Sequence, residues 1–335
     1  MSKQTLGVFI GRFQPFHAGH LETTRQALEL FDKVIIIIGS ADVPATTKNP
    51  LDIEARSAII TAAFTTEELA RIHITRADDH DYQPGRWIEQ IKILVEWTHS
   101  PDQWDITLVG HHKDESSSYL DWFPNWNFYE SENFDGMGAT TIRDQFFNGS
   151  SQFISPNFFC NEKHRAEVFD RMTPLADILR PEWCLIHEYE SIWGKGPHRT
   201  ADALVECNGH ILLIERGQAP GKGLLAFPGG FLEKGERLID ASIRELMEET
   251  NIGITKSELI DSASLPIVFD AKNRDPRSWN ISGLTHFKIT ATTLPDVHPA
   301  DDAAKTSWYP ITMMHGKGKL FFADHYRIIQ KLLNV

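Results

Sequence analysis

The first 110 residues alternate short, β-branched apolar runs with stretches of helical spacing, and few folds accommodate that order. Residues 6–10, 34–38, 72–75 and 106–109 read as buried strands. Between them, residues 20–31, 53–64 and 87–98 carry apolar side chains at helical intervals. Strand, helix, strand in repetition predicts an α/β fold with a doubly wound parallel sheet, and a ligand site beyond the carboxyl ends of the strands. Residues 161–179 then read as helix, with Thr173-Pro174 as an internal stop or restart.

Near residue 200 the pattern changes. Residues 203–207 and 210–215 predict a hairpin around Asn208-Gly209, a strong turn signal. Gly229-Gly230 reads as a loop turn, residues 238–250 as a helix, and the neighbourhoods of 260–267 and 283–290 as later strands. The second half is thus one long helix set among antiparallel strands. Residues 180–198 hold Gly194, Gly196 and Pro197 but also Ile186, Tyr189, Ile192 and Trp193, which predicts a packed connector. The expected division is 1–180, a connector over 181–199, and 200–335. A chain of 335 residues that is 41% hydrophobic can fill two cores.

The net charge of −13 argues against a binder of duplex nucleic acid, which needs a basic face. It leaves small anionic ligands open. The longest apolar run, 34–39, is too short to cross a bilayer, and the N-terminus lacks a signal-peptide profile, so a soluble, cytoplasmic protein without nucleic-acid or membrane partners is expected. Cys160, Cys184 and Cys207 are odd in number and far apart, as ordinary thiols are. A homo-oligomer is compatible with the sequence.

Residues 230–252 carry the densest chemistry: Gly230-x5-Glu236-x7-Arg244-Glu245-Leu246-x-Glu248-Glu249-x-Asn251-Ile252. Glu245, Glu248 and Glu249 stand at i, i+3 and i+4 and share one helix face. Their mutual repulsion makes sense if a divalent cation sits among them, and oxygen-rich sites of this kind suit Mg²⁺ or Mn²⁺. The alternative is a solvated acidic face. The spacing resembles the Nudix box, the signature of hydrolases that cleave a nucleoside diphosphate linked to another group. The resemblance implies an α/β/α sandwich, metal binding by Gly230, Glu245, Glu248 and Glu249, and catalytic roles for Arg244, Glu245 and Glu248. Asn251 stands where that family has Gly, at a helix end that needs a left-handed backbone, where Asn is the least damaging replacement.

A second constellation, Gly11-Arg12-Phe13-Gln14-Pro15-Phe16-His17-Ala18-Gly19-His20, follows the first strand and opens a helix. Backbone N–H groups at a helix N-terminus attract phosphate, and two imidazoles can donate to the same anion. Helix capping by His17 and His20 is the plainer alternative. The stretch resembles the signature of HIGH-type nucleotidyltransferases, and its longer form is similar to the archaeal-type nicotinamide mononucleotide (NMN) adenylyltransferases. Gly138-Ala139-Thr140-Thr141-Ile142-Arg143 resembles that family's second phosphate motif, with Gly138 in place of Ser. Asn49-Pro50 with Arg56 resembles its Asn-Pro-…-Arg segment, although Ala55 replaces the usual Glu.

This resemblance implies that His17, His20 and Arg143 handle the triphosphate. It further implies substrate contacts by Gly11, Arg12, Phe13, Gln14, Asn49, Arg56 and Thr140, and a stack of Trp87 on nicotinamide; taken alone, Trp87 reads as a core or helix-start residue. Gly110-His111-His112-Lys113-Asp114 follows the fourth strand at the ligand edge, so Gly110, His111 and Lys113 join the expected contacts to ribose or phosphate, with a structural role for part of the segment as the alternative. In the second half, Pro266 and Arg274-Asp275-Pro276-Arg277-Ser278-Trp279 resemble the ADP-ribose branch of the Nudix superfamily, with Arg274 and Arg277 as phosphate ligands. Asp-Pro-Arg is also an ordinary exposed turn.

Together the two halves resemble bifunctional NMN adenylyltransferase/Nudix hydrolases. The resemblance implies small-molecule partners only (ATP, NMN, NAD and ADP-ribose), with Mg²⁺ or Mn²⁺ in both domains. Contrasting readings are a Nudix-like sensor that binds ADP-ribose without cutting it, a Nudix domain for another nucleoside diphosphate, or a transferase for phosphopantetheine or flavin mononucleotide.

Overall fold

The computed structural model describes residues 3–112, 115–132, 134 and 138–335. They divide into two compact units, Met1–Pro181 and Glu182–Val335. The N-terminal unit runs β1 (Gln4–Gly11), α1 (Ala18–Leu30), β2 (Lys33–Ile38), α2 (Ile53–Ala63), α3 (Thr66–Leu69), β3 (Ile72–Arg76), α4 (Pro84–Glu96), β4 (Trp104–Gly110), β5 (Asn127–Glu130) and α5 (Ala139–Phe147). Its five strands are all parallel, in the order β3-β2-β1-β4-β5.

Consecutive residues of β2, Val34 to Ile38, are wholly buried, as expected of a strand covered on both faces. The four expected strands and three expected helices are present. The short β5 is an addition, too polar and brief to show a pattern in sequence. Strand order reverses at β1, whose neighbours are β2 and β4, so a crevice opens beyond Gly11 and Gly110.

Helix α6 (Glu162–Trp193) runs through both Pro174 and Pro181. The expected stop at Thr173-Pro174 does not occur, and much of the expected connector is helix. Each proline costs one helical hydrogen bond. The inward stripe Val168, Met172, Ala176 and Leu179 is buried at helical spacing and offsets that loss.

The C-terminal unit contains β6 (His198–Cys207), β7 (His210–Arg216), β8 (Leu225–Ala226), β9 (Gly229–Phe231), α7 (Leu238–Thr250), α8 (Lys256–Ser262), β10 (Ile267–Phe269), β11 (Asn280–Ile289), β12 (Ala303–Pro310) and α9 (His325–Leu333). The β6–β7 hairpin turns at Asn208 and Gly209, with φ of 48° and 72°, as the Asn-Gly signal predicts.

Three expectations are corrected here. The sheet is mixed, because β11 runs parallel to β6. Gly229 and Gly230 pair with Asp202 and Ala201 in β9 instead of turning a loop. Residues around Ile260 are helix: Thr255 and Glu258 cap α8 reciprocally, and Leu259 is buried. Helix α7 packs Ile243 and Leu246 against Ala203, Val205 and Phe287 of the sheet. It ends at Asn251 in the left-handed region, φ 40° and ψ 42°, as predicted.

Candidate active sites

In the N-terminal unit, the segment from Gly11 to His20 leaves β1 at the crevice and enters α1. Phe13 turns the chain at φ 51°, and its ring lies 5.3 Å from Phe9 and 5.6 Å from Phe16. Gln14 is buried and clamps Leu51 both ways, donating to its carbonyl at 2.8 Å and accepting from its N–H at 2.9 Å. His17 is the N-cap of α1. Its ring stacks on His20 with centroids 3.7 Å apart, and its backbone N–H donates to His20 Nδ1 at 3.2 Å. Because Nδ1 of His20 accepts, the ring proton resides on Nε2.

Burial first, then His17 and His164, hold the His20 imidazole well below its usual pKa. It is neutral at physiological pH. A Cβ on Gly19 would stand 3.2 Å from the His17 ring, so glycine permits that approach.

Arg143, on the first turns of α5, donates to Gln14 O at 2.7 Å and to Thr140 Oγ1 at 3.1 Å. Burial, and the nearby Arg12 charge, lower it to about 10, so it stays charged. Arg12 is exposed, with Nη1 3.4 Å from Asn49 Oδ1. Arg12 also depresses Arg56, which burial lowers most. Arg12 thus opposes the charge of both Arg56 and Arg143, while Asp79 and Asp52 offset it at Arg56 and Asp79 favours the charge of Arg12 itself.

Arg56 differs from the sequence expectation of a substrate contact. Its side chain is 1% exposed and donates to the carbonyls of Arg12, Gly39, Ser40 and Asp52 at 2.6–3.2 Å. It holds the loops around the crevice, and Gln14 does likewise. Trp87, in α4, is partly buried and edge-on to Tyr119 and Trp122 at 5.7 and 5.8 Å. Gly110 ends β4, and a Cβ there would strike Leu120, which is a packing reason for glycine. Nδ1 of His111 and of His112 each lie 2.8 Å from an oxygen of Glu130 on β5. Lys113 lies outside the described residues.

In the C-terminal unit the centre of the carboxylate face is Arg244. Its Nε and Nη2 bind both oxygens of Glu236 at 2.9 and 3.0 Å, and Nη2 also reaches Phe231 O. Its Nη1 spans Glu245 at 2.7 Å and Glu248 at 3.1 Å. The repulsion expected among these carboxylates is thus relieved in part by a protein cation, Arg244, and not by a metal alone. Glu245 and Glu249 are buried, whereas Glu248 is exposed. Burial raises the Glu245 carboxyl and pushes Glu249 up to about 8, with Glu245 and Asp302 adding to the latter. Glu249 accepts from the Gly229 N–H at 2.9 Å. A Cβ on Gly230 would collide with the Glu245 carboxylate, so glycine makes room for it.

A pocket beside this face is lined by Asp202, Arg216, Phe227, Gly230, Glu249 and His325, among others. Arg274 and Arg277 also line it, but both are engaged within the protein. Arg274 makes a bidentate pair with buried Asp324, and Arg277 makes one with Asp275. Arg277 further lies 5.7 Å over the Phe231 ring. Asp202, Asp324 and His325 were missed from sequence, since no spacing connects residues more than a hundred positions apart. His325 Nδ1 accepts from the Phe227 N–H, and the two rings stack at 4.9 Å.

Fold and sites together define a nucleotidyltransferase-type α/β unit and a Nudix-type unit in one chain. A cytidylyltransferase-like family profile matches residues 8–117, and a NUDIX domain profile matches residues 196–332. A crystal structure of a bifunctional NMN adenylyltransferase/ADP-ribose pyrophosphatase from Francisella tularensis, complexed with AMP and a manganese ion, is 34% identical. It covers 99% of each chain with a TM-score of 0.90. A nicotinamide/nicotinic acid mononucleotide adenylyltransferase of Acinetobacter baylyi is 43% identical over 143 residues, 42% of this chain and 75% of that protein. An ADP-ribose pyrophosphatase of Methanocaldococcus jannaschii is 35% identical over 134 residues, 40% of this chain and 72% of its own. The chain belongs to the bifunctional NMN adenylyltransferase/ADP-ribose pyrophosphatase family. No helix among the described residues is long and apolar enough to cross a membrane.

Proposed function

We propose that the N-terminal unit joins ATP and NMN into NAD and pyrophosphate, and that the C-terminal unit hydrolyses ADP-ribose to AMP and ribose 5-phosphate. The observation that carries the first activity is the pair Arg12 and Arg143, whose charges oppose each other, together with the His17–His20 stack at the start of α1. Mutually repelling cations at a helix N-terminus are relieved by a polyanion. Arg12, Arg143 and the Nε2–H of His20 meet the triphosphate, with His17 beside them. Thr140 and Asn49 border the same site, Gly11 and Phe13 shape its loop, and Gln14 and Arg56 hold that loop in place.

The phosphate of NMN is itself the nucleophile. It attacks the α-phosphorus of ATP in line, the new P–O bond forms as the bond to the β-phosphate oxygen breaks, and pyrophosphate leaves with the charge. Catalysis is positioning and charge neutralisation. Trp87 stacks on the cationic nicotinamide ring. Gly110, His111 and Lys113 contribute at the ribose and phosphate edge.

In the C-terminal unit a Mg²⁺ or Mn²⁺ ion fits the donor set: hard carboxylate oxygens, two of them buried, with burial and then the Glu245 and Asp302 charges raising Glu249. Glu245, Glu248 and Glu249 would hold it, beside Gly230. Among the described residues no three such side chains already converge on one point; Arg244 Nη1 bridges Glu245 and Glu248, and Glu249 accepts from the Gly229 N–H. When bound, the ion supplies charge neutralisation at the diphosphate and a lower pKa for water. Arg244 orients Glu245 and Glu248. Water adds to one phosphorus as the bridging P–O bond breaks. In the N-terminal unit the cation would arrive with the triphosphate.

The test is direct. The protein is incubated with ATP plus NMN, and separately with ADP-ribose and Mg²⁺, and the products are separated chromatographically. NAD in the first mixture and AMP in the second are expected. Tight binding of ADP-ribose without cleavage would replace the hydrolase with a sensor.

A further inference from the structure

His164 stands on the first turn of α6, wholly buried, and is not part of any motif in the sequence. Its Nδ1 accepts from the Cys160 N–H at 3.3 Å, so its proton sits on Nε2, which donates to the Phe16 carbonyl at 3.2 Å. Its own backbone N–H is capped by Asn161 Oδ1 at 2.8 Å, and Asn161 Nδ2 donates to Ala62 and Ala63 at the end of α2. The Phe16 carbonyl shares a peptide group with the His17 N–H, which donates to His20 Nδ1. One peptide plane is thus gripped from both sides: His164 Nε2–H to its oxygen, and its N–H to His20. Accepting at the oxygen polarises the N–H and strengthens the second bond.

We propose that His164 is a positioning residue for adenylyl transfer, acting through the Phe16-His17 peptide to hold His20 in its Nε2–H tautomer. Without the grip on the Phe16 carbonyl, the peptide can rotate and the His20 ring is free to carry its proton on Nδ1. It would then present a lone pair to the triphosphate where a donor is needed. The Phe16 ring, 5.3 Å from His20 and 6.3 Å from His164, adds a packing link along the same line.

The inference rests on His20 acting on the triphosphate. His164→Leu removes the donor, and His164→Gln keeps an N–H at similar reach. Loss of one buried hydrogen bond predicts a fall in kcat for NAD synthesis of about tenfold in His164→Leu. KM values for ATP and NMN should hold, and most of the rate should return in His164→Gln. ADP-ribose hydrolysis by the same chain serves as an unaffected control. In ¹⁵N-histidine NMR the parent His20 should show an unprotonated Nδ1, and His164→Leu a mixture of tautomers. A parent His20 protonated on Nδ1 overturns the inference, as does full kcat in His164→Leu. Equal loss in both variants with unchanged His20 signals also overturns it. If His164→Leu does not fold, the parent spectrum and His164→Gln decide. His20→Ala in the same assay separates the two levels. An undiminished rate there removes the triphosphate reading itself, whereas a slow His20→Ala beside a normal His164→Leu removes only the inference.

Discussion

Nε and Nη2 of Arg274 each lie 2.9 Å from one oxygen of Asp324, in a bidentate pair with both side chains buried. Fifty residues separate the partners. The guanidinium is therefore committed first to the protein and only through it to the pocket. Removing it strands a buried carboxylate, a change that typically costs about 3–5 kcal/mol. Arg274→Met should lower the melting temperature of the C-terminal unit, with ADP-ribose cleavage lost through unfolding. An unchanged Tm with a raised KM for ADP-ribose would return Arg274 to the substrate.

Glu248 is the exposed member of the carboxylate face and gives up one Arg244 contact of 3.1 Å when neutralised. Exposed pairs of this kind are worth about 0–1 kcal/mol, so Glu248→Gln should fold almost normally. ADP-ribose hydrolysis and divalent-metal affinity should drop together by roughly 10²-fold or more, because an amide oxygen is a poor ligand for a hard cation. NAD synthesis should not change. Hydrolysis at the parent rate would sink the metal-face reading.

Gly230→Ala tests the same face from the strand opposite. The added Cβ meets the Glu245 carboxylate, which Arg244 holds from the other side. Overpacking of this sort costs about 1–3 kcal/mol or displaces Glu245. Hydrolysis should fall while NAD formation persists. Equal losses in both activities would show damage beyond the site.

Trp87 packs edge-on against Tyr119 and Trp122, so it is both a wall of the core and a candidate platform. A cation–π contact is worth about 0.5–2 kcal/mol, which predicts a threefold to thirtyfold weaker NMN affinity in Trp87→Ala and little change for ATP. Isothermal titration with each substrate separates the cases. Equal weakening would mark Trp87 as packing alone.

Burial depresses His164 to about 4. The unfolded chain takes up that proton near pH 6.5 and the folded chain only near 4, so the stability present above 6.5 is lost as pH falls through this window. The loss is on the order of 3 kcal/mol by its lower end. His164→Gln has no such proton to take up. Acid unfolding of the N-terminal unit, followed by circular dichroism, should be less steep in that variant between pH 6.5 and 4. Parallel curves for parent and variant would refute the assignment.

The local pattern of the chain determines much of this molecule. β-Branched runs spaced by helical stretches specify the parallel sheet, Asn208-Gly209 specifies a hairpin, and the 238–250 periodicity specifies the carboxylate helix, because each depends on neighbours within a few residues. The capping box Thr255-x-x-Glu258 was equally local, and reading it would have placed α8 where a strand was expected. Tertiary structure alone decided the rest. Helix α6 passes Pro174 because its buried stripe outweighs a proline that local propensity would treat as a stop. The partners of Arg56, Arg274 and His20 come from segments that only folding brings together: the Ser40 carbonyl, Asp324, and, through Phe16, His164. A sequence shows which residues carry charge or a proton. Whether each spends it on the protein or leaves it for a ligand depends on burial and on partners distant along the chain, and those exist only once the backbone has closed.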